Sequence, residues 1–127
     1  MDKISNLLIS IKNSGAIGKE KISVPFAGIT LAVANLLKEE GYVKAVAVSN
    51  DTRSISVVLD YKMDKSHKVQ DVKRISKPGK RVYYKLSDIQ KVRQGYGTLV
   101  LSTPQGVMTG KAARAANTGG EALFEIY

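Results

Sequence analysis

At 127 residues, 43% of them hydrophobic, the chain is long enough to bury an apolar core, which argues against disorder for the chain as a whole. Its formal net charge of +9, from 20 Lys plus Arg against 11 Asp plus Glu, favours polyanionic partners and nucleic acid above all, because each phosphate neutralised releases condensed counterions. The absence of cysteine excludes disulfides, thiolate nucleophiles and Cys-based zinc sites, and no run approaches the ~20 apolar residues of a membrane span, so a cytoplasmic, non-membrane protein is expected.

Ile4, Leu7, Leu8 and Ile11 fall at helical spacing and line one face of a first helix, which Asn13-Ser14-Gly15 ends. Lys21 to Pro25, with Ile22 and Val24 on one side, reads as a strand that ends at Pro25 or lies at an edge. Ile29, Val33, Leu36 and Leu37 mark a second helix closed by Gly41. Two strands follow, Tyr42 to Ser49 and Ser54 to Tyr61, joined by the turn Asn50-Asp51-Thr52-Arg53. Residues 62–71 are polar, without periodic apolar positions, and read as a linker.

Beyond it, Val72 to Ser76 and Arg81 to Lys85 are expected as a hairpin around Lys77-Pro78-Gly79-Lys80, since Pro-Gly suits the centre of a tight turn. Ser87 caps an expected short helix carrying Ile89 and Val92, and Gly95-Tyr96-Gly97 leads into a strand from Thr98 to Thr103. Thr109 caps another short helix through Ala115, before a last strand from Glu121 to Tyr127. The expected fold class is α+β, with two small packed domains. Residues 1–65 form an α-β-α-β-β domain, and residues 66–127 form a mostly β domain with short helices.

Charge is uneven between these halves. Residues 1–60 hold 7 basic and 6 acidic side chains, and 61–127 hold 13 and 5, so +8 of the +9 lies in the second half. Between Lys68 and Arg93 there are nine basic and two acidic residues, interrupted by Tyr83 and Tyr84. Lysines there can meet phosphates while a tyrosine offers its face to a base. The bland alternative is lysines that protect strand edges, with one tyrosine turned into the core as the strand period requires. Ser102-Thr103-Pro104-Gln105-Gly106 is a second candidate surface, with two hydroxyls, an amide and accessible backbone groups suited to sugar hydroxyls and base edges. Such a composition is also what an ordinary turn requires.

Catalytic chemistry has little support. Gly106-Val107-Met108-Thr109-Gly110-Lys111 has three residues between its glycines where a phosphate-binding loop has four, and Ala112 stands where that loop needs a hydroxyl. His67 is the single histidine and has no ligand-type neighbours, and the carboxylates are scattered. No enzyme, cofactor or metal is expected.

Leu101-Ser102-Thr103-Pro104-Gln105-Gly106-Val107-Met108-Thr109-Gly110-Lys111-Ala112-Ala113-Arg114 and Thr118-Gly119-Gly120-Glu121 resemble the C-terminal signature of the small-subunit ribosomal protein eight family. Arg74-Ile75-Ser76-Lys77-Pro78-Gly79-Lys80-Arg81-Val82-Tyr83 resembles its strand-turn-strand segment, and Leu36-Leu37-Lys38-Glu39-Glu40-Gly41-Tyr42 the end of its second helix. The resemblance runs along nearly the whole chain. It implies a structural protein that binds the central domain of small-subunit ribosomal RNA, acts in assembly beside neighbouring small-subunit proteins, and in bacteria commonly represses its own operon through a similar messenger RNA structure. It also implies that Ser102, Thr103 and Gly106 form an RNA-reading turn, with Tyr83 an aromatic contact and Glu121 an acidic one near Gly119 and Gly120. Lys73, Lys77, Lys80, Arg81, Lys111 and Arg114 are expected to anchor phosphates, with Gln105 and Thr109 completing the RNA-binding set.

Two departures stand out. Pro104 replaces a third hydroxyl residue, and Phe26-Ala27-Gly28 replaces Ser-Ser-Lys before the second helix, removing a cap hydroxyl and a cation. A rival from another class is a basic adaptor for acidic proteins or anionic membranes. Against it, no amphipathic helix joins a lysine-rich face to large aromatic anchors.

Overall fold

The computed structural model describes residues 3–62, 68–89 and 97–127. The fold is α+β and divides into two compact units, Met1–Gln70 and Asp71–Tyr127, each with its own antiparallel sheet.

In the first unit, α1 (Lys3–Ala16) turns Ile4, Leu7, Leu8 and Ile11 inward, and α2 (Gly28–Glu39) does the same with Val33, Leu36 and Leu37. Both helices follow from apolar residues recurring on one face of a 3.6-residue period. The chain leaves α2 through Gly41 at φ 83°, where the Tyr42 N–H reaches back to the Leu37 carbonyl at 2.9 Å. That left-handed residue and back-bond close the helix in the way glycine permits. Strands β1 (Lys21–Pro25), β2 (Val43–Ser49) and β3 (Ser54–Leu59) form a sheet in the order β1-β3-β2, with Ile22, Val24, Ile55, Val57 and Leu59 buried. Ala27 occupies the N-cap of α2 and makes no side-chain bond to its first turn, the local consequence of the lost hydroxyl.

Several expectations need correction. The third strand ends at Leu59, two residues before the expected Tyr61, whose hydroxyl instead donates to the Lys19 carbonyl. The described part of the expected linker is not free: Val69 is buried, and Lys68 pairs with Asp60 at 2.8 Å. Linker residues 63–67, with His67, lie outside the described residues.

The second unit is built on β8 (Gly120–Ile126). One edge of β8 pairs with β6 (Thr98–Thr103), and β6 in turn pairs with β7 (Gly106–Thr109). The other edge is shared. First β4 (Val72–Arg74) pairs with Phe124–Ile126, and the N–H groups of Ile75 and Ser76 continue onto the Leu123 and Ala122 carbonyls. The chain then reverses at Lys77–Lys80, and β5 (Tyr83–Tyr84) pairs with Glu121 and Gly120. Ala122 marks the handover, its carbonyl accepting from Ser76 and its N–H donating to Val82.

The turn at Lys77–Lys80 is present, but the strands are shorter than the expected Val72 to Ser76 and Arg81 to Lys85, and beyond the Lys77–Lys80 bridge they pair with successive stretches of β8 and not with each other. Ser87 lies within a single 3-10 turn, Leu86–Asp88, that follows Lys85, and does not cap a helix. Val92, Arg93 and Gly95-Tyr96 lie outside the described residues. Helix α3 (Gly110–Ala115) begins where expected, with the Thr109 hydroxyl accepting from the Ala112 N–H at 3.1 Å. One face of the sheet packs Leu101 and Ala122 with Ile89, Leu99 and Ala113, joined by Tyr84 and Met108.

Candidate nucleic-acid interface

Residues directly paired across antiparallel strands project to the same face. Tyr83 pairs with Glu121, Glu121 with Ser102, and Ser102 with Val107. Three candidate residues far apart in sequence thus form one row across β5, β8 and β6, on the face opposite the apolar cluster. Tyr83 is 70% exposed, whereas Tyr84 packs on the cluster. This settles which tyrosine faces outward.

Two glycines make the row possible. A Cβ on Gly120 would collide with the Ser102 carbonyl oxygen, and one on Gly119 with the Tyr84 carbonyl oxygen. The segment can lie between β5 and β6 only where side chains are missing. Gly119 and Gly120 are therefore required by their backbone's close approach to β5 and β6.

Glu121 is the only carboxylate in the row, and its side chain is 17% exposed. Its Oε2 accepts from the Ser76 hydroxyl at 2.5 Å and from Arg81 Nη1 at 3.1 Å. Ser76 is fully buried, and its oxygen also accepts from the Val82 N–H at 3.0 Å. Sequence reasoning did not place Ser76 among the site residues. Its only signal was the match of the surrounding strand-turn-strand segment.

Between these partners the hairpin projects its cations. Lys77 and Lys80 exchange both backbone N–H···O bonds at 2.9 Å and are both exposed, so two like charges face each other across Pro78-Gly79. Such a pair is unfavourable unless an anion relieves it. Lys73 lies elsewhere: it pairs with Glu125, four residues along β8 from Glu121, roughly 13 Å at strand spacing. Lys111 and Arg114 lie three residues apart on the exposed side of α3, whose Ala113 is buried.

The turn between β6 and β7 is organised by Thr103. Its hydroxyl donates to the Gly106 carbonyl at 2.9 Å and accepts from the Gln105 N–H at 3.1 Å, and the residue is buried. Thr103 thus shapes the loop, while Ser102, on the outward row, and the exposed Gln105 present polar groups. Pro104, which has no N–H to donate, is exposed in this loop, whose side-chain bonds run through Thr103 to Gln105 and Gly106. Gly106 takes the positive φ, 120°, that completes the reversal. Gly106 to Thr109 forms a strand, so the misspaced glycine motif offers no phosphate cradle.

Among the described residues there is no group of three or more His, Cys, Asp or Glu that could hold a metal ion, and no helix long and apolar enough to cross a membrane.

A family model for ribosomal protein S8 matches residues 2–127. The chain is 38% identical over 128 residues to the small ribosomal subunit protein uS8 of Geotalea daltonii, covering 99% of this chain and 97% of the relative. It is 41% identical over 127 residues to that of Mycoplasma capricolum subsp. capricolum, covering 99% and 98%. It is 42% identical over 126 residues to that of Tolumonas auensis, covering 98% and 96%. A match of this length, with relatives this similar from end to end, shows that the chain belongs to the ribosomal protein S8 family, structural proteins of the ribosome and not enzymes.

Proposed function

We propose that this protein binds the central domain of small-subunit ribosomal RNA through the outward face of its second unit, and in doing so helps the small subunit assemble. The observation that carries the proposal is the row Tyr83–Glu121–Ser102, drawn from three strands and flanked by the paired cations Lys77 and Lys80. The lysines supply attraction that any phosphate backbone satisfies. The row supplies what a phosphate does not need: an exposed aromatic ring for a base, a hydroxyl, and a carboxylate that accepts from base amino groups or ribose hydroxyls.

The division of labour follows from chemistry. Lys77, Lys80, Lys111 and Arg114 anchor phosphates and are sequence-blind, whereas Tyr83, Ser102 and Glu121 fix the register. Thr103 acts through the loop it holds. Arg81, 52% exposed beside Glu121, is in a screened pair worth little to the free protein, so a phosphate can take it over at small loss. A messenger RNA from its own operon would use the same surface if it presented the same irregular helix, and neighbouring small-subunit proteins would meet the surfaces that RNA leaves uncovered.

The test is binding to central-domain RNA fragments against a scrambled helix of equal length across a salt series. A preference for one irregular helix that survives at high salt is the expected result. Equal binding to both, weakening together as salt rises, would reduce the protein to a nonspecific polyanion binder.

A further inference from the structure

We infer that Ser76 is a positioning residue for RNA discrimination, holding the Glu121 carboxylate in one orientation from beneath. The inference rests on the RNA-binding role proposed above and deepens it.

Glu121 faces a physical difficulty on an RNA-binding surface. A freely rotating carboxylate would repel phosphate and spread its acceptor capacity over many directions, so it contributes to recognition only when fixed. Two groups could fix it. Arg81 is half exposed, long and rotamer-rich, and its charge is wanted by phosphate. Ser76 is fully buried, short, and donates at 2.5 Å, within the range of a charge-assisted O–H···O⁻ bond. When RNA arrives, Arg81 can leave. Ser76 cannot, because its oxygen is also pinned by the Val82 N–H at the start of the returning arm.

Both bonds to Glu121 end on Oε2. Among the described residues Oε1 has no hydrogen-bond partner within the protein, so it retains its acceptor capacity for a base amino group or ribose hydroxyl. The hydroxyl of Ser76 therefore links two functions: it closes the base of the Lys77–Lys80 hairpin through Val82, and it orients the carboxylate through Oε2.

The experiment is a double-mutant cycle of Ser76→Ala and Glu121→Gln in the full chain. Affinities for a central-domain fragment and for the scrambled helix are measured at a temperature where circular dichroism shows every variant folded. Ser76→Cys is carried in parallel, since a thiol keeps the packed volume but is a weak donor and acceptor. If Ser76 positions Glu121, Ser76→Ala and Ser76→Cys each lower the ratio of specific to scrambled affinity by about tenfold, the scale of one lost charge-assisted hydrogen bond. Either change then adds little once Glu121 is already Gln. A merely structural Ser76 would lower the melting temperature and leave the ratio at its wild-type value in the folded variants, which would overturn the inference, as would losses that multiply independently across the cycle. Should the wild-type protein itself show no preference, the proposed RNA-binding role fails and this inference with it, an outcome read from the wild type alone.

Discussion

The close approach of Gly120 to β6 predicts that one substitution, glycine to alanine, will have opposite effects at two places in the chain. At Gly120 the new Cβ would overlap the Ser102 carbonyl oxygen and come within 3.0 Å of its carbon and 3.1 Å of Thr103 Cγ2. The first two atoms belong to a backbone held in register on both sides, by β8 and by β7. The overlap can be relieved only by parting strands, and overpacking of this kind costs about 1–3 kcal/mol. At Gly28, the first residue of α2, a Cβ would meet nothing within 4 Å, and the backbone lies outside the positive-φ region. There alanine loses less freedom on folding and should stabilise by about 0.4–1 kcal/mol. Native-state amide exchange is the suitable assay, because two units need not unfold as one and a single melting curve would average them. Gly120→Ala should lower protection of the β6 and β8 amides while β1 and β3 keep theirs, and Gly28→Ala should raise protection in the first unit. A Gly120→Ala protein protected to within about 0.5 kcal/mol of wild type, the ordinary scatter of surface changes, would refute the claim that the glycine is required by space.

Other perturbations separate the remaining interactions. Lys80→Ala should weaken binding to specific and scrambled RNA by the same factor and reduce the salt slope by about one. Tyr83→Ala should instead cut affinity for the specific helix by about 1–3 kcal/mol, the scale of a lost base–aromatic stack, and equal losses from both changes on both RNAs would contradict the division proposed. Lys68 holds the Asp60 carboxyl below its ordinary value of 3.8, first through their hydrogen bond and then against a smaller opposing effect of desolvation. A depressed folded-state pKa contributes stability that is present above the unfolded value and lost as pH falls through the folded one. Asp60→Asn should therefore destabilise the protein near neutrality by no more than about 1 kcal/mol, since both side chains are about one-third exposed. In urea titrations that deficit should shrink as pH falls below 3.8 and vanish only once pH has passed below the depressed folded-state value; a deficit that persists through the whole acid range would assign it to packing. Ala27→Ser should supply the missing cap of α2 and stabilise the first unit by about 0.5–2 kcal/mol, measured by the same exchange experiment.

Legibility in the sequence followed the range of the interactions. The helices of the first unit could be read because their determinants are local: Ile4, Leu7, Leu8 and Ile11 recur at helical spacing, and Gly41 stops α2 within its own last turn. Alternation likewise marked Ile55, Val57 and Leu59. The strand β7 was missed because Gly106-Val107-Met108-Thr109 is short, opens on glycine and becomes a strand only by pairing with β6. The same cause hid Ser76. Its partner Glu121 is 45 residues away, and nothing in a serine beside a Lys-Pro-Gly-Lys turn announces that its hydroxyl will be buried. Composition located the basic half and its tyrosines. Only the register of β5 on β8 turned Tyr83 outward beside Glu121 and Tyr84 inward.

Thr103 and Glu121 also show why residue chemistry is a poor guide to role at such a surface. The threonine hydroxyl, an obvious group for a ribose, is occupied within its own loop at both donor and acceptor, while the carboxylate, an improbable group for a polyanion, lies on the outward row. Electrostatics makes sense of the second. Lysines alone draw in any RNA, so a half of the chain that carries +8 of the net charge would bind strongly and discriminate weakly. A fixed carboxylate within that field penalises a backbone phosphate at one point and rewards a donor there, widening the gap between right and wrong partners. Such a device works only if the carboxylate cannot turn aside, and on the reading proposed above a buried serine beneath it would matter more to recognition than another lysine.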